Sequence, residues 1–218
     1  VTGKVSPTLY GLMTEEINFS YEGGLYGELI RNRSFKASTN GVRYWTAIGG
    51  AEMSLDTSTP LNDALNLSLK LNAAQASKNS PAGIANDGYW GIPVKPRTTY
   101  KVSFYAKAAI GFTGPLTVAI SSTDGKTTFA TAQVSGLTSD WKKFETTLKT
   151  KSGESSKANQ FTITTKSPGT IWLQQVSLFP PTYKNRPNGN RPDISELLAD
   201  MQPKFLRFPG GNYLEGNY

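Results

Sequence analysis

From about residue 35 to residue 181 apolar side chains recur at every second position, and this alternation constrains the fold of the 218-residue chain more than any other feature. Leu67, Leu69 and Leu71 alternate with Ser68 and Lys70, while Tyr100, Val102, Phe104 and Ala106 alternate with Lys101, Ser103, Tyr105 and Lys107. Successive side chains of a strand point to opposite faces, so each run presents one apolar and one wet face. Leu116-Val118-Ile120, Phe144-Thr146-Leu148 and Phe161-Ile163 continue the series, with the turn formers Asp124-Gly125, Ser152-Gly153 and Pro168-Gly169 between them. Short strands separated by such turns predict two antiparallel sheets packed face to face, a β-sandwich of jelly-roll type. In the last strand the apolar parity switches, Ile171 and Leu173 sharing one face and Val176 and Leu178 the other. A β-bulge near Gln174-Gln175 would return both pairs to one core.

The flanks have a different texture. Residues 8–13 form a short apolar run followed by the carboxylates Glu15 and Glu16; Gly23-Gly24 then breaks the chain, and Leu25, Tyr26, Leu29 and Ile30 have the spacing of one or two helical turns. After Pro180-Pro181 and a linker over residues 182–191, Asp193 and Glu196 resemble a capping box opening a helix over residues 194–201, with Leu197, Leu198 and Met201 on one face. Pro203 ends that helix, and a short apolar strand over residues 204–208 runs into Pro209-Gly210-Gly211-Asn212. Helix, tight turn, strand and glycine-rich loop follow one another in this way in α/β barrels. The predicted fold is therefore mainly β: a jelly-roll sandwich over residues 36–181, inserted after the first strand of an incomplete (β/α)8 barrel. Residues 1–35 supply that strand and a short helix, and residues 182–218 the linker, a further helix and the second strand.

Composition narrows the chemistry. With no cysteine and no histidine, disulfides, thiolate or imidazole metal sites and His-dependent triads are excluded, which leaves carboxylates as the acid/base groups. No cofactor and no metal are expected. A net charge of +7 and a pI near 9.5 raise the question of nucleic acid or an anionic membrane. Lys and Arg are scattered, however, with Lys142-Lys143 the only tight pair and no basic stripe interleaved with aromatics, so neither partner is expected. No apolar run approaches the ~20 residues of a membrane span. A mature secreted protein has this appearance, and sequons at Asn18, Asn32 and Asn66 are compatible with an extracellular glycoprotein.

Functional groups of α/β barrels sit on loops at the C-terminal ends of the strands. Glu15 follows the first strand; Asn212 follows the second, where glycines permit close backbone approach to a ligand. Plainer readings stand beside these: Glu15 or Glu16 as a surface carboxylate, and Gly210-Gly211 as a turn only.

Several segments carry a family resemblance. One is Val5-Ser6-Pro7-Thr8-Leu9-Tyr10-Gly11-Leu12-Met13-Thr14-Glu15-Glu16-Ile17-Asn18, followed by Gly23-Gly24-Leu25-Tyr26-Gly27-Glu28-Leu29-Ile30-Arg31-Asn32-Arg33-Ser34-Phe35. Others are Ile171-Trp172-Leu173, Val176-Ser177-Leu178-Phe179-Pro180-Pro181, Tyr183-Lys184-Asn185-Arg186-Pro187-Asn188-Gly189 and Lys204-Phe205-Leu206-Arg207-Phe208-Pro209-Gly210-Gly211-Asn212. Together they resemble glycoside hydrolase family 51 α-L-arabinofuranosidases, particularly fungal ones. The resemblance implies a retaining glycosidase that removes terminal arabinofuranose from arabinoxylan or arabinan of the plant cell wall. Two carboxylates would act, one as acid/base and one as nucleophile, through a covalent glycosyl-enzyme. Carried over by motif, Glu15 and Asn212 match positions that hydrogen-bond the arabinose and orient its hydroxyls, whereas the two reacting glutamates belong to later barrel strands. Only about 70 residues here are barrel-like against roughly 250 in a complete barrel. The chain alone is thus expected to be inactive, the rest of the barrel coming from a continuing or a separate chain.

The central sandwich resembles the carbohydrate-binding modules found within this enzyme group. Such modules stack aromatic rings on sugar faces. The candidate platforms are Tyr89 and Trp90 in a Gly-flanked loop, and Tyr105 and Trp172, which strand parity sets opposite the apolar face; Trp45 and Trp141 are expected in the core. Burial against neighbouring structure is an equal alternative for Trp90 and Trp172. Modules of this kind often hold a structural calcium through carboxylates near the last strand, where this chain has Gln174-Gln175, so calcium is not expected there. A non-catalytic carbohydrate-binding module and a purely structural sandwich between domains remain as alternative roles.

Overall fold

The structure, a computed structural model, describes residues 3–153 and 155–211. It divides into two compact units, residues 1–27 with 181–218, and residues 28–180. In chain order β1 (Leu12–Met13) belongs to the first unit. The second unit contains β2 (Thr46–Ile48), β3 (Glu52–Asp56), β4 (Ser68–Asn72), β5 (Ala82–Asn86), β6 (Thr99–Ala108), β7 (Leu116–Ser122), β8 (Thr128–Val134), β9 (Lys142–Lys149), β10 (Asn159–Thr165) and β11 (Thr170–Phe179). The first unit resumes with α1 (Pro192–Asp200) and β12 (Leu206–Arg207).

The second unit is the antiparallel sandwich that the alternation predicts. One sheet has the strand order β2-β5-β10-β7-β8, the other β3-β4-β11-β6-β9. Among these strands only the β3–β4 and β7–β8 connections stay within a sheet, so the chain keeps crossing between layers, as in a jelly roll. Leu69, Leu71, Ile84, Val102, Phe104, Val118, Ile120, Phe161 and Ile163 meet between the sheets in one apolar core. Trp45 joins them as expected, its ring 5.4 Å from that of Phe35 and its indole N–H donating to the Asn32 carbonyl at 3.1 Å. The bulge is present: pairing steps from Gln174 opposite Tyr105 to Ser177 opposite Ser103, and Gln175 takes φ 50. Ile171, Leu173, Val176 and Leu178 are consequently all fully buried.

Two expectations for the N-terminal flank are corrected. Residues 25–30 form no helix; a single kinked turn over Tyr21–Leu25 gives way at Tyr26 to extended chain. The apolar spacing had another cause, for Glu28 and Ile30 are buried while Leu29 is half-buried, and the Leu29 N–H donates to the Leu178 carbonyl at 3.0 Å. The second correction concerns the boundary expected after residue 35, which falls after Gly27. Ile30 and Phe35 are fully buried in the sandwich core. Glu28 pins the same segment, its carboxylate accepting from the backbone N–H groups of Ile30 at 3.0 Å and Leu178 at 2.9 Å and from the Ser177 hydroxyl, with the Arg33 guanidinium 3.6 Å away.

In the first unit β1 and β12 pair in parallel, Leu12 with Leu206 and Met13 with Arg207. Strand, helix and parallel strand thus come in the order β1, α1, β12, with the whole sandwich between β1 and α1 in the sequence. The expected capping box does not form. The helix begins earlier, with Pro192 in the first turn, where its fixed φ suits the start of a helix. Asp193 lies inside that turn and binds the Arg191 guanidinium at 2.6 and 3.1 Å instead. A groove of about 750 Å³ separates α1 from the strands, lined by Leu25, Tyr183, Pro187, Leu198, Ala199 and Leu206 among others. Val5, Leu9, Met13, Leu197 (68% exposed) and Phe208 (64%) are exposed on this unit.

Candidate functional site

The parallel β1–β12 pair fixes the first candidate. Glu15 lies just past the C-terminal end of β1 and Gly210 just past that of β12. Gly210 takes φ +121, and a Cβ there would lie 2.7 Å from the Cβ, Cγ and Cδ of Glu15. The Glu15 side chain therefore lies against bare backbone that no other residue could offer. Glu16 serves the fold instead, because its carboxylate accepts the Tyr21 N–H at 2.7 Å and closes the turn before the sandwich. Of the two adjacent carboxylates, then, Glu15 faces the glycine loop and Glu16 is structural. Asn212 lies outside the described residues.

The second candidate is the loop between β5 and β6. Gly88 and Gly91 have positive φ, and a Cβ on them would meet the carbonyl oxygens of Leu29 at 2.7 Å and Lys157 at 1.9 Å, so the loop is seated tightly at both ends. Beyond Gly91, Ile92 N–H donates to the Asn159 carbonyl at 2.9 Å. The buried Tyr100 hydroxyl donates to the Pro93 carbonyl at 2.8 Å and accepts from Lys95 N–H at 2.9 Å. Burial pushes this phenol above its ordinary range, so it stays protonated and keeps donating. Between the glycines Tyr89 is half-buried and Trp90 is 62% exposed. Asn86, at the end of β5, brings further groups to this place. Its carbonyl accepts from Arg31 and Gly88 N–H at 3.2 and 3.0 Å, and its amide donates to the carbonyls of Arg31 and Tyr44 at 2.9 and 2.8 Å. The Arg31 guanidinium lies over the Tyr44 ring at 3.7 Å and 5.5 Å from the Tyr89 ring.

The third candidate, Tyr105 with Trp172, lies on the outer face of the β3-β4-β11-β6-β9 sheet, as parity requires. Both indoles of this face are tied down. Trp172 donates its N–H to Asp56 at 2.6 Å, and Trp141, read from sequence as core, is a half-buried member of the same face that donates to the Thr59 carbonyl at 3.2 Å. Lys107 lies between the two rings, 5.1 Å from Trp172 and 5.8 Å from Trp141, and Lys70 is 5.9 Å from Trp172. Burial would raise the Asp56 carboxyl, but hydrogen bonds from Ser58 and Trp172 outweigh it and hold the group below its usual range. The face is a braced aromatic–lysine layer under the β3–β4 loop, and its rings are less accessible than Trp90.

Gln174 donates to the carbonyls of Ser34 and Leu67, a role open to an amide and closed to an ionised carboxylate. Of the sequon residues, Asn18 and Asn66 are exposed. The Asn32 amide donates to the Arg43 carbonyl at 2.9 Å and its carbonyl accepts Ala37 N–H at 3.0 Å, so this side chain closes a turn. Sequence reasoning missed Arg31 and Tyr44, whose backbones the Asn86 amide ties beside Tyr89 from 55 and 42 residues away in the chain.

A jelly roll presenting an exposed tryptophan on a rigid loop is the architecture of sugar-binding modules, and comparison agrees: residues 27–170 match the carbohydrate binding domain family, to which this chain belongs. Over nearly its full length the chain is also similar to α-L-arabinofuranosidases, as its flanking motifs indicate. It is 38% identical over 216 residues to the probable α-L-arabinofuranosidase A of Aspergillus flavus, covering 97% of this chain and 34% of that protein. A solved family 51 α-L-arabinofuranosidase with bound arabinose superposes with a TM-score of 0.87 at 38% identity, over 97% of this chain and 35% of that one. The chain thus spans about a third of the length of the relatives it matches. The xylan-binding domain of Xyn10C from Paenibacillus barcinonensis shares the sandwich fold, with a TM-score of 0.50 at 17% identity over 72% of this chain and 96% of that domain.

Proposed function

We propose that this chain is part of a retaining α-L-arabinofuranosidase that releases terminal arabinofuranose from plant arabinoxylan or arabinan. The observation that carries this reading is the parallel β1–β12 pair, which sets Glu15 against the Gly210 backbone where barrel loops bind substrate. Glu15, with Asn212, orients the arabinose hydroxyls; the acid/base and the nucleophile come from further barrel strands. The exposed apolar residues and the open groove beside α1 support a barrel segment that awaits its neighbours. The sandwich is a carbohydrate-binding element, and Trp90 its foremost stacking residue. Secretion and glycosylation at Asn18 or Asn66 belong to the same proposal.

Hydrolysis of an aryl α-L-arabinofuranoside tests the reading. The 218-residue chain is expected to release nothing, and a protein extended through a complete barrel to turn the substrate over. In that protein Glu15→Ala is expected to lower kcat/KM roughly 10- to 100-fold, as loss of a charge-assisted hydrogen bond to a substrate hydroxyl would. Arabinose release by the 218-residue chain alone, or an extended protein indifferent to Glu15, would overturn it.

A further inference from the structure

Four steps in the sequence set a side-chain carbonyl one residue before glycine: Asn40-Gly41, Asp87-Gly88, Asp124-Gly125 and Asn188-Gly189. At such a step the glycine nitrogen can approach the preceding side-chain carbonyl carbon, because no Cβ stands in the way. What holds the N–H decides whether it does. The Gly88 N–H donates to the Asn86 side-chain carbonyl at 3.0 Å, Gly125 N–H to the Ser122 carbonyl at 2.9 Å and Gly189 N–H to the Arg186 carbonyl at 3.1 Å. Among the described residues nothing accepts the Gly41 N–H. Asn40 and Gly41 are both exposed, and a Cβ on Gly41 would meet no atom within 4 Å.

The Asn32 side chain ties both ends of this loop, accepting Ala37 N–H at 3.0 Å and donating to the Arg43 carbonyl at 2.9 Å, so residues 38–42 form a tip that can rearrange without disturbing the sandwich. At the tip the Thr39 hydroxyl donates to Asn40 Oδ1 at 3.3 Å, the atom on which negative charge develops when the carbonyl carbon is attacked. We propose that Asn40 is a self-modification site, converting to aspartate and isoaspartate through a cyclic imide. The Gly41 nitrogen gives its proton to solvent base and bonds to Asn40 Cγ; the Cγ–Nδ2 bond breaks and the side-chain amide leaves as ammonia. Water then opens the ring. Cleavage of the new N–Cγ bond gives aspartate, and cleavage of the original peptide C–N bond gives isoaspartate with one extra methylene in the main chain. Water is the only reagent consumed, and the net charge of +7 falls by one.

Asn188 is the internal control, since its glycine N–H is held and a hydrogen bond that must break before attack slows the step roughly tenfold. The 218-residue chain is incubated in warm, mildly alkaline heavy-oxygen water, once folded and once in urea, and heavy-oxygen uptake is read peptide by peptide. In the folded chain Asn40 is expected to convert roughly tenfold faster than Asn188. In urea, where the Gly189 N–H is released, the two rates are expected to converge. Asn40→Gln, which can cyclise only through a larger ring, is expected to abolish the acidic form that isoelectric focusing separates from the fresh protein. Equal rates at the two asparagines of the folded chain overturn the proposal, and so does an acidic form that persists in Asn40→Gln. A difference that survives unchanged in urea belongs to the neighbouring sequence and refutes selection by the fold.

Discussion

Burial raises the Glu28 carboxyl above its ordinary range, against hydrogen bonds from Leu178, Ser177 and Ile30 and the charge of Arg33, all of which favour ionisation. The sign of the resulting pH dependence follows. A carboxyl whose folded value exceeds the unfolded one binds more protons when folded, so its stabilising contribution is complete below the unfolded value of about 4.5 and declines as pH rises through the folded value. Glu28→Gln removes this titration while keeping an acceptor for the two backbone N–H groups. The melting temperature of the native protein relative to that variant is therefore expected to fall as pH is raised from 4.5, and an unchanging difference would contradict the assignment. Glu28→Leu leaves three buried donors without an acceptor and is expected to cost about 3 kcal/mol, readable from chemical denaturation. None of this was legible in sequence, where Glu28 sat inside an apparently helical apolar pattern. Burial in extended chain and burial on one helical face leave the same trace over six residues.

At the scale of elements, the parity switch at residues 171–178 did announce its bulge, because a core visible on both sides of one inserted residue admits little else. Deleting Gln175 is expected to turn either Ile171 and Leu173 or Val176 and Leu178 outward and to abolish cooperative unfolding by circular dichroism. Strands were legible for the same reason, since period two is hard to imitate over eight or ten residues. The helix over residues 192–200 was found but misplaced at its start, because Pro192 outranks a capping box that needs Asp193 outside the helix. Candidate aromatic residues could be named from sequence but not ranked. Parity says which way Trp172 points, not that Asp56 and two lysines brace it, and Trp141, expected in the core, lies on the same outer face. The rigidity of the Trp90 loop is testable through Gly91→Ala, whose methyl group would collide with the Lys157 carbonyl in a left-handed backbone. A loss of about 2 kcal/mol is expected, with weaker sugar retention than that loss of fold alone produces.

The whole molecule divides at Gly27 and Pro180, with the buried core in the second unit. Residues 28–180 expressed alone are expected to unfold in one cooperative transition, and to bind a dye specific for apolar surface less than the 218-residue chain does, since Val5, Leu9, Leu197 and Phe208 lie outside them. Equal dye binding would mean that these side chains are covered in solution. Composition and flanking motifs made the two textures legible, but the true boundary was hidden because Ile30 and Phe35 serve the sandwich from within a stretch that reads as barrel.

The hydrogen bond from Leu29 to Leu178 has a kinetic consequence. It brings the two ends of the sandwich side by side, so that β1 and β12, nearly 200 positions apart in the chain, are joined after sandwich folding by the equivalent of a short link. Loop-closure entropy grows with the logarithm of length, and shortening the effective loop from some 190 residues to about 45 removes roughly 1 kcal/mol from the cost of forming the parallel pair. The sandwich is therefore expected to fold first and to serve as the clasp that lets β1 and β12 find each other.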